Sequence, residues 1–556
     1  MTSNNSGVPD GFPKIALISV YNKTGIDIFA RSLVDMGWQI VSSGGTATFL
    51  KDSGVPVTDT ADITGLKAML GHRVATLHPT IHGGLLALNT PEHLKELADN
   101  NIPWIGLVCC DFYPLEEEVV GPEATRESVI EKTDIGGPTM IRSGAKGRRI
   151  TICDVDDREL VIEWLKSGEP DREVFLDNLA AKAEFIISRY CSISAGYTSS
   201  GKYQGLSIER VTECVYGENA YQKPAYLVKE SGNIDLLSLY NWQHVAGNAP
   251  SYNNWCDIDR MMQIITHIGA GFDKNFNKVP YVAVGVKHGN ACGAAFADTP
   301  EEAISKMLSG DLRAIFGGSI MVNFPIDEVL ADKLLHDQMK DEKRRLLDVV
   351  TAPLFSPEAI EILSRKKGKC RLVVNPSIEK AGLSSLDISR RFRYVRGGFL
   401  QQPNYTFVLD FSDELFVVAN GEMSEEVKPD ILLAWAVGAT SNSNTISITK
   451  KGRLMGNGVG QQDRVGAGKL AVARASDAME LVGVENLAEY LDGSVAYSDS
   501  FFPFPDGPEY LIEHGIKTIF STSGSVNDQL IIDLCRDRNV SLCMVPDTYG
   551  RGFFNH

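Results

Sequence analysis

Short apolar runs and amphipathic stretches alternate along the first third of the chain. Residues 14–20 form an apolar run rich in strand formers, residues 21–25 break it, and apolar positions then recur with helical spacing at Ile26, Phe29, Ala30, Leu33 and Val34. Residues 38–41 read as the next strand, 42–46 as a loop, 47–51 as the opening of a helix and 55–57 as a third strand. Residues 105–110 form a buried strand, and a long helical stretch runs from about residue 173 to 191. Strands alternating with helices at this spacing predict a parallel sheet with right-handed crossovers. Residues 196–201, rich in Gly and Ser, read as the boundary of this half. The rest is less regular. Its clearest strand, residues 279–286, is expected to open into a loop at Lys287-His288-Gly289-Asn290-Ala291-Cys292-Gly293. No heptads, low-complexity tract or short internal repeat is visible.

Composition narrows the function classes. At 556 residues the chain exceeds a single core, so two to four domains are expected. A formal charge of -17 argues against a nucleic-acid surface, which needs basic stripes, but leaves room for a local phosphate pocket. Residues 1–13 lack the regions of a signal peptide and no apolar run reaches spanning length, so the expectation is a cytoplasmic protein with no membrane partner. The ten cysteines are scattered without a Cys-x-x-Cys pair, which predicts reduced, buried thiols and no metal site.

Three stretches carry candidate chemistry. Lys287 beside His288 at a strand end supplies a fixed cation and a group that titrates near neutrality, a pairing suited to proton removal from a weak nucleophile. The same pair in isolation is more often a satisfied histidine beside a solvated lysine, so the rest of the chain must decide. The loops after the first two strands precede helices, and their amides and helix dipoles predict an anion site, with Lys23 adding charge and Ser43, Gly44, Gly45 and Thr46 adding hydroxyls and close backbone access. Asp134 and Lys146 are read as an acid and a base around a glycine turn. Gly456 to Gly460 resembles a dinucleotide loop, but its glycines are misplaced for that motif.

The order of these segments resembles the bifunctional purine family that joins AICAR transformylase to IMP cyclohydrolase, over nearly the whole chain. The resemblance rests on Ser43 to Ala47, Arg73 to Pro79, Phe112 to Pro114, Asp134 to Thr139, Tyr216 to Asn219, Lys287 to Gly293 and Ser498 to Phe504. It implies an α/β architecture: a methylglyoxal-synthase-like doubly wound parallel sheet over residues 1–200, then a transformylase half over 201–556. That half is implied to comprise two cytidine-deaminase-like subdomains, without zinc, meeting near residue 385. It further implies 10-formyltetrahydrofolate as co-substrate, an AICAR-like amine as acceptor, a homodimer with transformylase sites at the subunit interface, and cyclisation of FAICAR to IMP. By the same resemblance His288 is the base and Lys287 its electrostatic partner. Tyr216, Asn254, Phe316, Gly317, Asn444, Arg464, Asp499 and Arg551 bind substrate and folate. For ring closure it implies Arg73, Tyr113, Asp134 and Lys146 as catalytic groups, with Ser19, Lys23, Ser43, Gly44, Gly45 and Thr46 on the phosphate.

The chain departs from the family pattern inside these motifs. Ala75 replaces a lysine, Tyr21 a serine, Asp111 an asparagine, Val215 an arginine, Tyr221 a histidine and Ala291 a proline. Each lost charged hydrogen bond is worth about 1.5 to 3 kcal/mol. Two further readings therefore stand beside the two-activity enzyme: a paralogue that formylates another amine with ring closure lost or altered, and a binding protein using inherited nucleotide pockets.

Overall fold

Five parallel strands in the order β3-β2-β1-β4-β5 build the sheet of the N-terminal part: β1 (Ile15–Ser19), β2 (Gln39–Ser42), β3 (Val57–Asp59), β4 (Ile105–Cys110) and β5 (Ile150–Ile152). Alternate residues of β1 feed different cores, Ala16 and Ile18 on one face, Ile15 and Leu17 on the other. A strand buried on both faces is the doubly wound arrangement that its unbroken apolar run anticipates. Helix α1 (Ile26–Asp35) follows β1 and α2 (Gly44–Asp52) follows β2, while α3 (Gly136–Lys146) leads into β5 and α4 (Arg172–Thr198) closes the half.

The computed structural model describes residues 7–71, 73–339, 343–481 and 483–554. Contacts divide the chain into two units, Met1–Ile208 and Glu209–His556. The Gly/Ser segment at 196–201, read as a boundary, lies at the end of a helix. Its first residues belong to the last turn of α4, which outlasts the helical stretch read from the pattern.

The second unit holds one mixed sheet of twelve strands. Its first six are β8 (Gln243–Ala246), β9 (Tyr281–Lys287), β10 (Asn290–Ala297), β11 (Ser319–Val322), β12 (Val349–Ala352) and β13 (Arg371–Val374), with helix α5 (Tyr252–Phe276) ahead of β9. The last six are β16 (Val417–Asn420), β17 (Ile446–Lys450), β18 (Arg453–Gly458), β19 (Ser494–Ser498), β20 (Ile516–Ser523) and β21 (Ser541–Pro546), with helix α6 (Lys428–Ala439) ahead of β17. The order β8-β13-β12-β11-β9-β10 is mirrored as β16-β21-β20-β19-β17-β18. In both sets a hairpin is flanked by an antiparallel strand, two further parallel strands and an antiparallel edge strand. The second unit is thus a structural duplication, joined where β10 pairs antiparallel with β18. Two separate ribbons, β6 (Ile208–Cys214) with β7 (Ala225–Glu230) and β14 (Arg390–Val395) with β15 (Gly398–Pro403), lie outside the large sheet.

The antiparallel seam has a geometric consequence. The hairpin of the first repeat, between β9 and β10, lies at the same sheet edge as the start of β17 and the ends of β18 and β19 in the second. Loops from both repeats therefore meet there.

Candidate functional site

Lys287 ends β9 and Asn290 begins β10, so the residues between them form a two-residue hairpin turn rather than the loop expected from sequence. His288 (φ 53) and Gly289 (φ 70) both take positive φ, as the primed hairpin turns require. Positive φ is costly for a residue with a Cβ, so the turn must be held, and Asp257 of α5 holds it. Its carboxylate accepts from Gly289 N at 2.9 Å and from Ser319 Oγ at 2.9 Å. Burial pushes the Asp257 carboxyl up, while those hydrogen bonds and His288 pull it down. Asp257 escaped sequence reading, because an acid in an early helix turn is ordinary in composition.

The hairpin borders a cleft of about 450 Å³ lined by His288, Cys292, Arg313, Asn457 and Arg474 among others. Asn457 bridges the seam, donating to Ala291 O at 3.3 Å and accepting from Ser447 Oγ at 2.9 Å. Lys287 belongs to the same lining and also faces Gly317: a Cβ at that glycine would stand 3.9 Å from Lys287 Nζ. That is ordinary van der Waals contact, and the adjacent Phe316 is 37% exposed.

From the second repeat, Asp499 comes to this edge fully buried. It accepts from Ser443 Oγ at 2.6 Å and Thr445 N at 3.1 Å, and pairs with Arg464 at 3.4 Å. Burial pushes this carboxyl up against those partners. Asn444 follows a cis peptide and donates through Nδ2 to Gln461 O at 3.0 Å. Asn444, Arg464 and Asp499 thus gather at this edge. Arg551 is exposed and pairs with Asp547 at 2.5 Å, and Asp547 in turn accepts from Ser500 and Thr522. Asn254 is engaged differently. Its carbonyl accepts from Ser251 N and Oγ, which makes it the capping-box partner of α5. Tyr216 is half-buried in a loop tied to that helix by Asn253 Nδ2 donating to Glu218 O at 3.3 Å.

In the first unit the strand ends gather Ser19, Lys23, Tyr113 and Asp134. Burial raises both the Asp134 carboxyl and the Tyr113 hydroxyl. Asp134 accepts from Gly137 N at 3.0 Å, and its own N–H donates to Tyr190 Oη at 2.7 Å. Tyr113 and Tyr21 meet edge to face at 5.7 Å, with Lys132 about equally near both rings. Arg73 is exposed and paired with Glu131, and its neighbour His72 lies outside the described residues. The glycine turn expected between Asp134 and Lys146 is instead the first turn of α3. Lys146 ends that helix, about 15 Å along its axis at 1.5 Å per residue, so the acid and the base are not brought together. Ser43 heads α2 without a side-chain cap bond, whereas the Thr46 hydroxyl is buried, bonded to Val20 N and O. Among the described residues no group of three or more His, Cys, Asp or Glu side chains is arranged to hold a metal ion, and no helix is long and apolar enough to cross a membrane.

Comparison with known proteins accounts for this assembly. A family model described as AICARFT/IMPCHase bienzyme matches residues 147–474, and an MGS-like domain model matches residues 25–139. The bifunctional purine biosynthesis protein PurH of Anoxybacillus flavithermus is 35% identical over 540 residues, 95% of this chain and 97% of its own. The chain belongs to the AICARFT/IMPCHase bienzyme family. PurH of Bacillus cereus is 34% identical over 97% of both chains, and that of Staphylococcus carnosus 33% over 96% of this chain and 98% of its own. A solved structure titled Crystal structure of ForH is 33% identical, covers 34% of this chain and all of its own, and superposes with a TM-score of 0.31.

Against the bienzyme pattern, four of the six departures fall in two places. Val215 and Tyr221 sit on the same exposed loop, at 58% and 83% exposure, so neither fills a core. Tyr21 and Asp111 meet in the loop after β1, where the Tyr21 N–H donates to the Asp111 carboxylate.

Proposed function

We propose that this chain transfers the formyl group of 10-formyltetrahydrofolate to the 5-amino group of AICAR and closes the resulting FAICAR to IMP. The aminoimidazole amine is a poor nucleophile because its lone pair is delocalised, so attack on the formyl carbon needs a base on nitrogen and a cation on the oxyanion. His288 takes the amine proton, Lys287 faces the developing oxyanion, and the bond from carbon to the folate nitrogen breaks as that nitrogen gains a proton. Asn444, Asp499 and Arg464 orient the partners, with Phe316 and Gly317 beside the lysine. The observation that carries this reading is the Lys287-His288 hairpin, braced by Asp257 at the mouth of a cleft shared by both repeats.

Ring closure requires the carboxamide nitrogen to attack the formyl carbon, followed by loss of water. In the first unit Asp134 and Tyr113 serve proton transfer, Arg73 orients the substrate, and the head of α2 receives the phosphate. Lys146 has no part in this scheme. Residues 1–200 are assigned to ring closure and 201–556 to formyl transfer, in a cytoplasmic homodimer. Identity of 35% over 97% of a PurH relative supports the two-activity enzyme over a paralogue with another acceptor.

The test mixes purified protein with 10-formyltetrahydrofolate and AICAR and follows tetrahydrofolate release and IMP together. Both are expected. No folate release overturns the transfer assignment, and FAICAR accumulating without IMP overturns the ring-closing one.

A further inference from the structure

Ring closure puts a negative charge on oxygen before water is lost, and that charge needs a cation within reach. Two cations read from the sequence are placed elsewhere: Arg73 is paired with Glu131, and Lys146 stands at the far end of α3 from Asp134. Lys132 differs from both. It follows the short helix Arg126–Glu131 as its C-cap and stands two residues before Asp134. The Tyr190 hydroxyl fastens both residues, donating to Lys132 O at 3.0 Å and accepting from Asp134 N at 2.7 Å. Lys132 Nζ lies 5.8 Å from the centre of the Tyr113 ring and 6.0 Å from that of Tyr21. Among the described residues no carboxylate pairs with it. The segment that carries Ala75 runs beside this cation. Arg73 meets Glu131, and a Cβ at Gly136 would stand 3.1 Å from Thr76 Oγ1 and 3.9 Å from Asp134 Oδ1. Ala75 therefore lies between two points at which residues 73–76 touch residues 131–136.

We propose that Lys132 is the cation of ring closure in this chain, doing from the neighbouring segment what a lysine at position 75 would do. This rests on the assignment of ring closure to the first unit. The carboxamide nitrogen's pair forms the bond to the formyl carbon, the carbonyl pair moves onto oxygen beside the Lys132 ammonium, and Asp134 takes the proton that nitrogen sheds. Tyr113 then protonates the oxyanion, and the same ammonium faces the phenolate left behind. The carbon–oxygen bond breaks as the hydroxyl departs as water with the proton from Asp134. The formamide nitrogen returns its own proton to Tyr113 as the ring double bond forms. Lys132 thus acts on charge that exists only after the attack has begun, which is where a fixed cation raises a rate.

The experiment supplies FAICAR to the full-length chain and follows IMP. Lys132→Met is expected to lower kcat for ring closure about 10²-fold, the effect of removing one oxyanion partner. KM for FAICAR is expected to stay within about twofold, because the lost contact belongs to the transition state. Lys132→Arg keeps the charge and is expected to hold kcat within about tenfold of the wild type. Ala75→Lys added to Lys132→Met is expected to recover kcat by at least about tenfold. Formyl transfer, read on the same samples, is expected to be unchanged throughout. Ring closure by Lys132→Met within about threefold of the wild type overturns the proposal, as does a loss carried by KM alone or one that neither lysine nor arginine recovers. Lys132→Gln, which keeps a long polar side chain, decides in the same way if Lys132→Met does not fold. A wild-type chain that leaves FAICAR unchanged overturns the assignment of ring closure itself, and the proposal falls with it.

Discussion

The two repeats of the second unit build the same hairpin and arm it differently. In the first, Lys287 leads into His288 and Gly289; in the second, Lys450 leads into Lys451 (φ 53) and Gly452 (φ 77). Each turn is held by a carboxylate from the preceding helix, Asp257 for one and Asp430 for the other, and Asp430 accepts from Lys451 N and Gly452 N at 2.7 Å. The strand ends match as well. Asp499 Oδ2 accepts from Thr445 N just as Asn323 Oδ1 accepts from Val282 N at 2.7 Å. Geometry is therefore common property of the two repeats, while the histidine and the buried carboxylate with its arginine occur together at one sheet edge only. The backbone supplies a frame twice, and side-chain chemistry uses it once.

The largest test of that contrast exchanges nothing but the armed residue. His288→Ala is expected to lower the rate of formyl transfer by about 10²- to 10⁴-fold, the usual contribution of a general base. The matched Lys451→Ala is expected to leave it within about twofold, since that side chain has no proton to move in the reaction. Tetrahydrofolate release under saturating substrates reads both, and equal losses would break the comparison.

A smaller effect tests the strand ends. Asn323→Asp puts a carboxylate into a buried position and sets an oxygen against Pro280 O, which now accepts from Asn323 Nδ2 at 3.0 Å. A destabilisation of about 3 kcal/mol is expected by denaturant titration, from an uncompensated buried charge. A loss within about 0.5 kcal/mol, the range of a neutral surface change, would show that the Arg464 partnership at Asp499 is not what makes a carboxylate tolerable there.

The smallest effect concerns the helices that hold the hairpins. Two residues after Asp257 stands Asp259, where the second repeat, counted from Asp430, has Leu432. Burial pushes the Asp259 carboxyl up to about 6, against Arg260 and Arg391, which pull it down, and Asp387, which raises it. Because the folded chain binds this proton more tightly than the unfolded one, the stabilisation is fully present below about pH 4 and is lost as pH rises through about 6. Wild-type stability is expected to fall by on the order of 2 kcal/mol relative to Asp259→Asn across that window. Parallel denaturation curves at pH 4 and pH 7 would remove Asp259 from the account.

Much of this architecture was legible beforehand, for physical reasons that differ by region. The first unit announces itself because a strand buried on both faces must be apolar throughout, and the stretch ending at Cys110 is. Lys287 and His288 were visible because a charged pair after such a run has few structural uses. The duplication itself left no trace in the pattern, since equivalent positions such as His288 and Lys451 or Asn323 and Asp499 share backbone and not residue type. Asp257 was missed because it acts through hydrogen bonds to distant backbone, which composition does not encode. The two glycines after Ile135 read as a turn between Asp134 and Lys146, yet here they open a helix whose length separates its ends.

The antiparallel seam between β10 and β18 means that neither repeat holds the whole of the proposed formyl-transfer site. Cutting the chain between the repeats would leave one fragment with the imidazole and the other with Asn444, Arg464 and Asp499. Catalysis is expected to return only when the two fragments pair again edge to edge.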